Sequence, residues 1–259
     1  GSGMTQPKVS TIKRQGSRFY VDPVTGDKHP SVTSITGVAP KPALQYWAAR
    51  TVAECAVEEF GTLAQMVAGG NPSGAIDYLK RAPGRNSGKA ASLGTEIHDL
   101  CEKVALGEDV GRLHPDHQGF VTQYEQFIKD FEVSFLEVES TVWSDQHGYA
   151  GTLDSIATIG GENIILDIKT GASGVWPDVA LQLNAYAKAD CLIDPDGTRR
   201  DMPEIHGAAA VSVRPEKYEL IPVRLGDDLF EVFQALTVVS DWEREKKKSV
   251  LGTVQTPER

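Results

Sequence analysis

The stretch Ile164-Ile165-Leu166-Asp167-Ile168-Lys169 is apolar except for one carboxylate and one ammonium. In an extended chain alternate side chains share a face, so Asp167 and Lys169 point together while Leu166 and Ile168 point the other way. Two readings fit that pair. A divalent cation on Asp167 would put Lys169 beside an attacking water, or the two form an exposed ion pair on an edge strand. Asp154, in Gly151-Thr152-Leu153-Asp154, falls on the preceding strand of the same expected hairpin. Adjacent strands lie about 5 Å apart, so such a hairpin can bring both carboxylates to one ion. Oxygen ligands of this kind suit a hard cation such as Mg²⁺ or Mn²⁺.

Two further groups stand near this core in sequence. Gln182 and Tyr186 are four apart on the next expected helix and share a face, with polar ends able to reach a phosphate or the lysine. Upstream, Gly94-Thr95-Glu96-Ile97-His98 lies on a helix. His98 there reads either as a surface or satisfied core histidine or as a ligand. Glu102, one turn on, is a further ligand or a partner behind the ligands. Lys80, Arg81, Arg85 and Lys89 form a basic cluster in an otherwise acidic chain, read as a solvated loop or as a strip for a phosphate backbone.

These residues need elements to position them. Arg18–Val21 reads as a short strand, Asp22–Asp27 as a turn, and Ser31–Ser34 as an extended or capping segment. Pro42 opens a helix to about Phe60, with Leu44, Trp47, Ala48 and Val52 on one face. Residues 69–88, rich in Gly, Pro, Ser and Asn, read as a mobile connection with a short helical piece near Ala75–Lys80. Helices follow over Gly88–Ala105 and Pro115–Phe131. Strands are expected at Ser134–Trp143, Gly151–Ile159 and Asn163–Lys169, with Gly160-Gly161 turning between the last two. A helix over Pro177–Leu192 precedes the Asp194–Gly197 turn. Strands His206–Val213 and Tyr218–Val223 come next, then a helix marked by Leu229, Phe230, Phe233, Leu236, Val239 and Trp242. This order describes an α/β protein, a central mixed sheet flanked by helices with an N-terminal helical extension. Its expected division is an extension over 4–88 and a core over 89–259, joined as one integrated domain.

Bulk properties exclude little. A length of 259 residues, 40% hydrophobic and 24% charged, fits a globular chain with a sizeable core. Gly1-Ser2-Gly3 ahead of Met4 is set aside as a cloning remnant. No run is apolar for long enough to span a bilayer, and a cytoplasmic location is expected. Cys55, Cys101 and Cys191 lie far apart, form no Cys-x-x-Cys pair, and read as reduced thiols. The 26 basic and 36 acidic residues give a net charge of −10, which argues against a protein that simply coats phosphates. It leaves room for a metal site that needs carboxylates.

Read in order, Gly94-x-x-x-His98, Gly151-x-x-Asp154, Asp167-x-Lys169 and Gln182-x-x-x-Tyr186 resemble the motif series of RecB-type PD-(D/E)XK nucleases. That group includes nuclease domains of recombination helicases, CRISPR-associated exonucleases and bacteriophage exonucleases. Pro30–Gly37 with Lys41–Leu44 and Trp47–Ala49 also looks like the start of phage-encoded members. The resemblance implies a restriction-endonuclease-like core and a metal-dependent deoxyribonuclease, by likeness an exonuclease. It implies that His98, Asp154, Asp167 and the Ile168 carbonyl bind one or two Mg²⁺ or Mn²⁺ ions. Lys169 would orient or deprotonate the attacking water, and Gln182 and Tyr186 would hold the DNA strand or the lysine. The implied partners are linear duplex or single-stranded DNA and a single-strand annealing or recombination protein. The four cysteines that bind an iron–sulfur cluster in some members have no counterpart here, so no cluster is expected. Two other classes compete: a catalytically inactive DNA- or partner-binding protein on the same fold, and a small-molecule hydrolase using the same carboxylates.

Overall fold

The structure, a computed structural model, describes residues 8–258. Gly1-Ser2-Gly3 and Met4 lie outside the described residues. Along the chain come strands β1 (Thr11–Arg14), β2 (Ser17–Val21) and β3 (Lys28–Pro30), then helices α1 (Val32–Thr36), α2 (Pro42–Glu58), α3 (Phe60–Ala68), α4 (Pro72–Lys80), α5 (Ala82–Ala105) and α6 (Pro115–Asp130). They are followed by β4 (Ser134–Ser144), β5 (Tyr149–Ile159), β6 (Glu162–Lys169), α7 (Val179–Ala187), β7 (Cys191–Ile193), β8 (Arg199–Arg200), β9 (Gly207–Val213), β10 (Tyr218–Val223) and α8 (Asp227–Arg244).

Contacts divide the chain into two compact units, residues 8–39 with 98–258, and Pro40–Ile97. The division differs from a boundary at 88/89 because the N-terminal strands belong to the sheet unit. Tyr20 Oη lies 2.8 Å from Thr152 Oγ1, Ser31 bridges to Ala150, and Val32 and Ile35 are fully buried in the main core. Ser31 acts as the expected cap: its hydroxyl accepts from Ser34 N at 3.1 Å at the start of α1.

The central sheet has seven strands in the order β10-β9-β6-β5-β4-β7-β8. Only β6 and β9 run parallel, so the sheet is mixed and the protein is α/β with helices flanking the sheet. α1, α7 and α8 share the main core, with Tyr149, Leu153, Ile156 and Ile165 of the sheet, while α6 packs against β9 and β10. Gly160 and Gly161 sit at φ 58° and 81°, as a two-residue hairpin turn requires. β6 is an interior strand, which removes the edge-strand reading of Asp167 and Lys169.

Three expectations are corrected. The helix expected over Pro177–Leu192 stops at Ala187, and Cys191–Ile193 pairs instead with β4. There the Asp190 carboxylate accepts from Ser144 Oγ and Gln146 N and holds the chain on the sheet, so long-range pairing overrides the local helical pattern. The helix from Pro42 breaks at Glu59, and α3 follows it. Residues 69–88 are not a mobile connection. Asn71 caps α4 by accepting from Gly74 N, Pro72 occupies its first turn, and α5 begins at Ala82 with Pro83 where no N–H is needed. Turn-forming residues here serve helix starts.

The second unit, Pro40–Ile97, is thinly packed. Thr51, Leu63, Ala75 and Ala82 are buried, but the expected apolar stripe of α2 is not, with Leu44 54% and Trp47 42% exposed.

In the sheet unit, Gly151 has a steric reason. A Cβ there would stand 2.9 Å from Tyr186 Cε1 and 3.0 Å from Val32 Cγ2. The missing side chain lets β5 approach the Tyr186 ring closely. Gly151→Ala is therefore expected to cost about 1–3 kcal/mol through overpacking, read as a lower urea midpoint at unchanged slope. An unchanged midpoint would show that the ring has room to move.

Candidate active site

The β5–β6 register sets the geometry. Ser155 pairs with Leu166 and Ile156 with Ile165, so one step further Asp154 lies opposite Asp167. Both carboxylates come from the sheet interior, and Asp167 is buried. Asp154 Oδ2 accepts from Ile168 N at 2.6 Å. From α5, His98 Nε2 reaches to 2.9 Å from Ile168 O and 3.5 Å from Asp154 Oδ2. Lys169 Nζ stands 2.9 Å from Asp167 Oδ2 and 3.4 Å from Gln182 Oε1. Gln182 Nε2 donates to Asp167 Oδ1 at 3.2 Å and to Tyr186 Oη at 3.0 Å. All seven residues expected at the site are thus brought together, Ile168 through its main chain.

Two carboxyls cannot both be charged here at low cost. Burial and then the charge of Asp154 push Asp167 up to about 7. Burial works against Asp154 too, but His98 and the Ile168 N–H outweigh it and hold its carboxyl below the usual range. The two are close enough for one to hydrogen-bond the other when a proton is shared. Lys169 is also contested. Burial alone would lower its pKa, yet the Asp167 carboxylate outweighs burial and raises it. In this arrangement Lys169 is a fixed cation, not the neutral base that a neighbouring metal would favour.

The donor set fits a hard cation. Asp167 Oδ2 is buried, and its neighbour is the Lys169 ammonium at 2.9 Å, an ion pair outside ordinary hydrogen-bond angles. A shared proton or a divalent cation would add to what that ion pair supplies. Octahedral ligands at Mg²⁺ distances stand about 3 Å from one another, and the separations of His98 Nε2 from Ile168 O and Asp154 Oδ2 are of that size. The side chains are not gathered around a single point: among the described residues no three or more His, Cys, Asp or Glu stand so that they could hold a metal ion together. Asp167 instead faces Gln182 and Lys169.

Sequence reasoning missed Glu139 and Lys8. Glu139 lies between the Val138–Ser155 and Ser140–Leu153 pairs and so sits beside Asp154, on the side away from Asp167. The carboxylates of three neighbouring strands form a row. Glu139 has φ 50°, a left-handed conformation that a non-glycine residue adopts only when its surroundings hold it there. Burial, then Asp154, push it up to about 8. Lys8 pairs with Glu102 at 2.7 Å and approaches Glu139 at 3.8 Å, so one ammonium links the two carboxylates. The signal for Glu139 was its alternation with Glu137, but a bulge between Phe135 and Glu137 hides the register from sequence. Cys101, on α5, is fully buried within the field of Asp154. Burial, then Asp154, push its thiol up, which leaves it unreactive.

Lys80, Arg81, Arg85 and Lys89 fall in the second unit, around the joint of α4 and α5. Among the described residues no helix is long and apolar enough to cross a membrane.

No protein-family model and no curated protein matches the sequence. Among solved structures the chain is similar to one titled "Crystal structure of SSO0001", at 17% identity and a TM-score of 0.31. The likeness covers 64% of this chain and 66% of that one. At that score it carries no argument about fold or function.

The carboxylate pair has a consequence for stability. Asp167 binds its proton more tightly in the folded chain than in the unfolded one, where its pKa is near the ordinary 3.8. Its contribution is fully present below about 4 and is lost as pH rises through about 7. In chelator, Asp167→Asn is expected to raise the melting temperature at pH 8 by a few degrees and to leave it nearly unchanged at pH 4 or below. A fall at pH 8 would mean that the ionised Asp167 is held by its partners more strongly than Asp154 repels it.

Proposed function

We propose that this chain is a metal-dependent deoxyribonuclease of the PD-(D/E)XK type that degrades linear DNA as an exonuclease in the cytoplasm. One observation carries the reading: two carboxylates stand at opposite register positions of β5 and β6, one of them buried and ion-paired to a lysine ammonium on the same face. Asp154, Asp167, His98 Nε2 and the Ile168 carbonyl would hold Mg²⁺ or Mn²⁺. When bound, the ion supplies a more acidic water and offsets charge on the scissile phosphate.

The chain's own residues do the rest. Lys169 enters as a cation and stabilises negative charge on the phosphate oxygens. Gln182 bonds both Lys169 and Asp167 and so fixes the distance between them. Tyr186, seated against Gly151, anchors Gln182 in turn. Ile168 N keeps Asp154 oriented and ionised.

The test compares end-labelled linear DNA with a closed circle, in Mg²⁺, in Mn²⁺ and in chelator. Loss of the linear DNA alone, only with metal, is expected. Cutting of the circle would make the protein an endonuclease, and activity in chelator would end the metal reading. Asp154→Asn and Lys169→Ala are expected to lower the rate by about 10²–10⁴-fold. Gln182→Ala, acting through its neighbours, should cost about 10–100-fold. A Lys169→Ala protein of full activity would remove that residue from the mechanism.

A further inference from the structure

The joint of α4 and α5 has features that packing within the chain does not explain. From Gly84 to Ser92 every residue of α5 is exposed, so this part of the helix presents all its sides to solvent. Gly84 and Gly88 lie inside it, where each costs about 1 kcal/mol against alanine, yet a Cβ at either would meet only open space. Neither has a positive φ to require glycine. Between Tyr78 and Thr95 the chain carries four basic residues and no acidic one, although the whole protein has net charge −10; of the four, Arg81 is paired with Asp77 at 3.1 Å. Arg85 lies over an aromatic ring: its Cζ is 4.1 Å from the Tyr78 ring centroid and its Nη1 donates to Tyr78 O at 2.8 Å. Lys80 and Lys89 are exposed.

We infer that this joint grips single-stranded nucleic acid, with an unpaired base stacked on the Arg85–Tyr78 platform and the sugar-phosphate backbone passing over Gly84 and Gly88 between Lys80, Arg81 and Lys89. The charge selects a polyanion. The preformed guanidinium–aromatic stack selects one with exposed base faces, which a duplex does not offer along its length. Glycines without a packing reason are what a close backbone approach requires. The inference deepens the nuclease reading and rests on it only for the choice of nucleic acid over other polyanions.

The test measures binding of a short fluorescein-labelled oligothymidylate, and of a blunt duplex of equal length, by anisotropy in chelator. The expected result is tighter binding of the single strand. Arg85→Ala should weaken that binding about tenfold and leave the duplex unaffected. The Lys80→Ala/Lys89→Ala pair, whose exposed side chains leave folding intact, should reduce the logarithmic salt slope by about 1.4. Gly84→Ala/Gly88→Ala should raise the melting temperature while weakening the oligonucleotide, a combination that a purely structural role would not give. Equal binding of both forms with Arg85→Ala silent, or wild-type binding by all variants, would overturn the inference. Cleavage is read separately in Mg²⁺: binding without cleavage would end the nuclease reading and spare the grip, and cleavage with unchanged variants would do the reverse.

Discussion

Asp154 and Asp167 stand opposite one another across adjacent strands of a buried sheet, and two negative charges so placed repel strongly in a medium that screens poorly. Folding must supply a compensating charge or leave a proton behind. The structure offers His98 and Ile168 N–H to Asp154, and Lys169 and Gln182 to Asp167, yet Asp167 still holds its proton up to about 7. A fold would not retain such a pair for stability alone, since apolar residues of similar size would serve the sheet better. Under the proposed function, the repulsion is that of a site kept ready for a cation.

Much of the surrounding structure serves that pair. The hairpin turn at Gly160-Gly161 sets the register that makes the two carboxylates face each other. The absent side chain at Gly151 admits Tyr186, which holds Gln182, which fixes Lys169 against Asp167. α5 delivers His98 to the Ile168 carbonyl, and Lys8 neutralises Glu102 one turn further along. Glu139, in a strained conformation beside Asp154, lengthens the negative row and raises the cost of leaving it without a counter-charge.

The sheet strands and the helices around them were legible in the sequence because alternation and the helical period are local. Asp167 and Lys169 could be assigned to one face from their spacing, and Asp154 to the neighbouring strand from the length of the hairpin. What was not legible depended on distant partners. Cys191–Ile193 reads as helix until β4 is there to pair with it, and Glu139 reads as one more alternating glutamate until the bulge fixes its register. The turn-rich composition of 69–88 hid two helix starts, because proline and asparagine serve a cap as readily as a loop. His98 is a case apart. Nothing in its own sequence context separates a ligand from a bystander, and only its 2.9 Å approach to Ile168 O places it at the carboxylates.

The most direct measurement is a titration of Mn²⁺ into the protein near pH 7, followed by electron paramagnetic resonance of the free ion and by calorimetry in buffers of different ionisation enthalpy. The account predicts saturable binding that releases a proton, because the ion displaces the one shared by the carboxyl pair, and it predicts that Asp154→Asn and Asp167→Asn abolish both signals. Binding that survives both substitutions, or takes place without proton release, would contradict it.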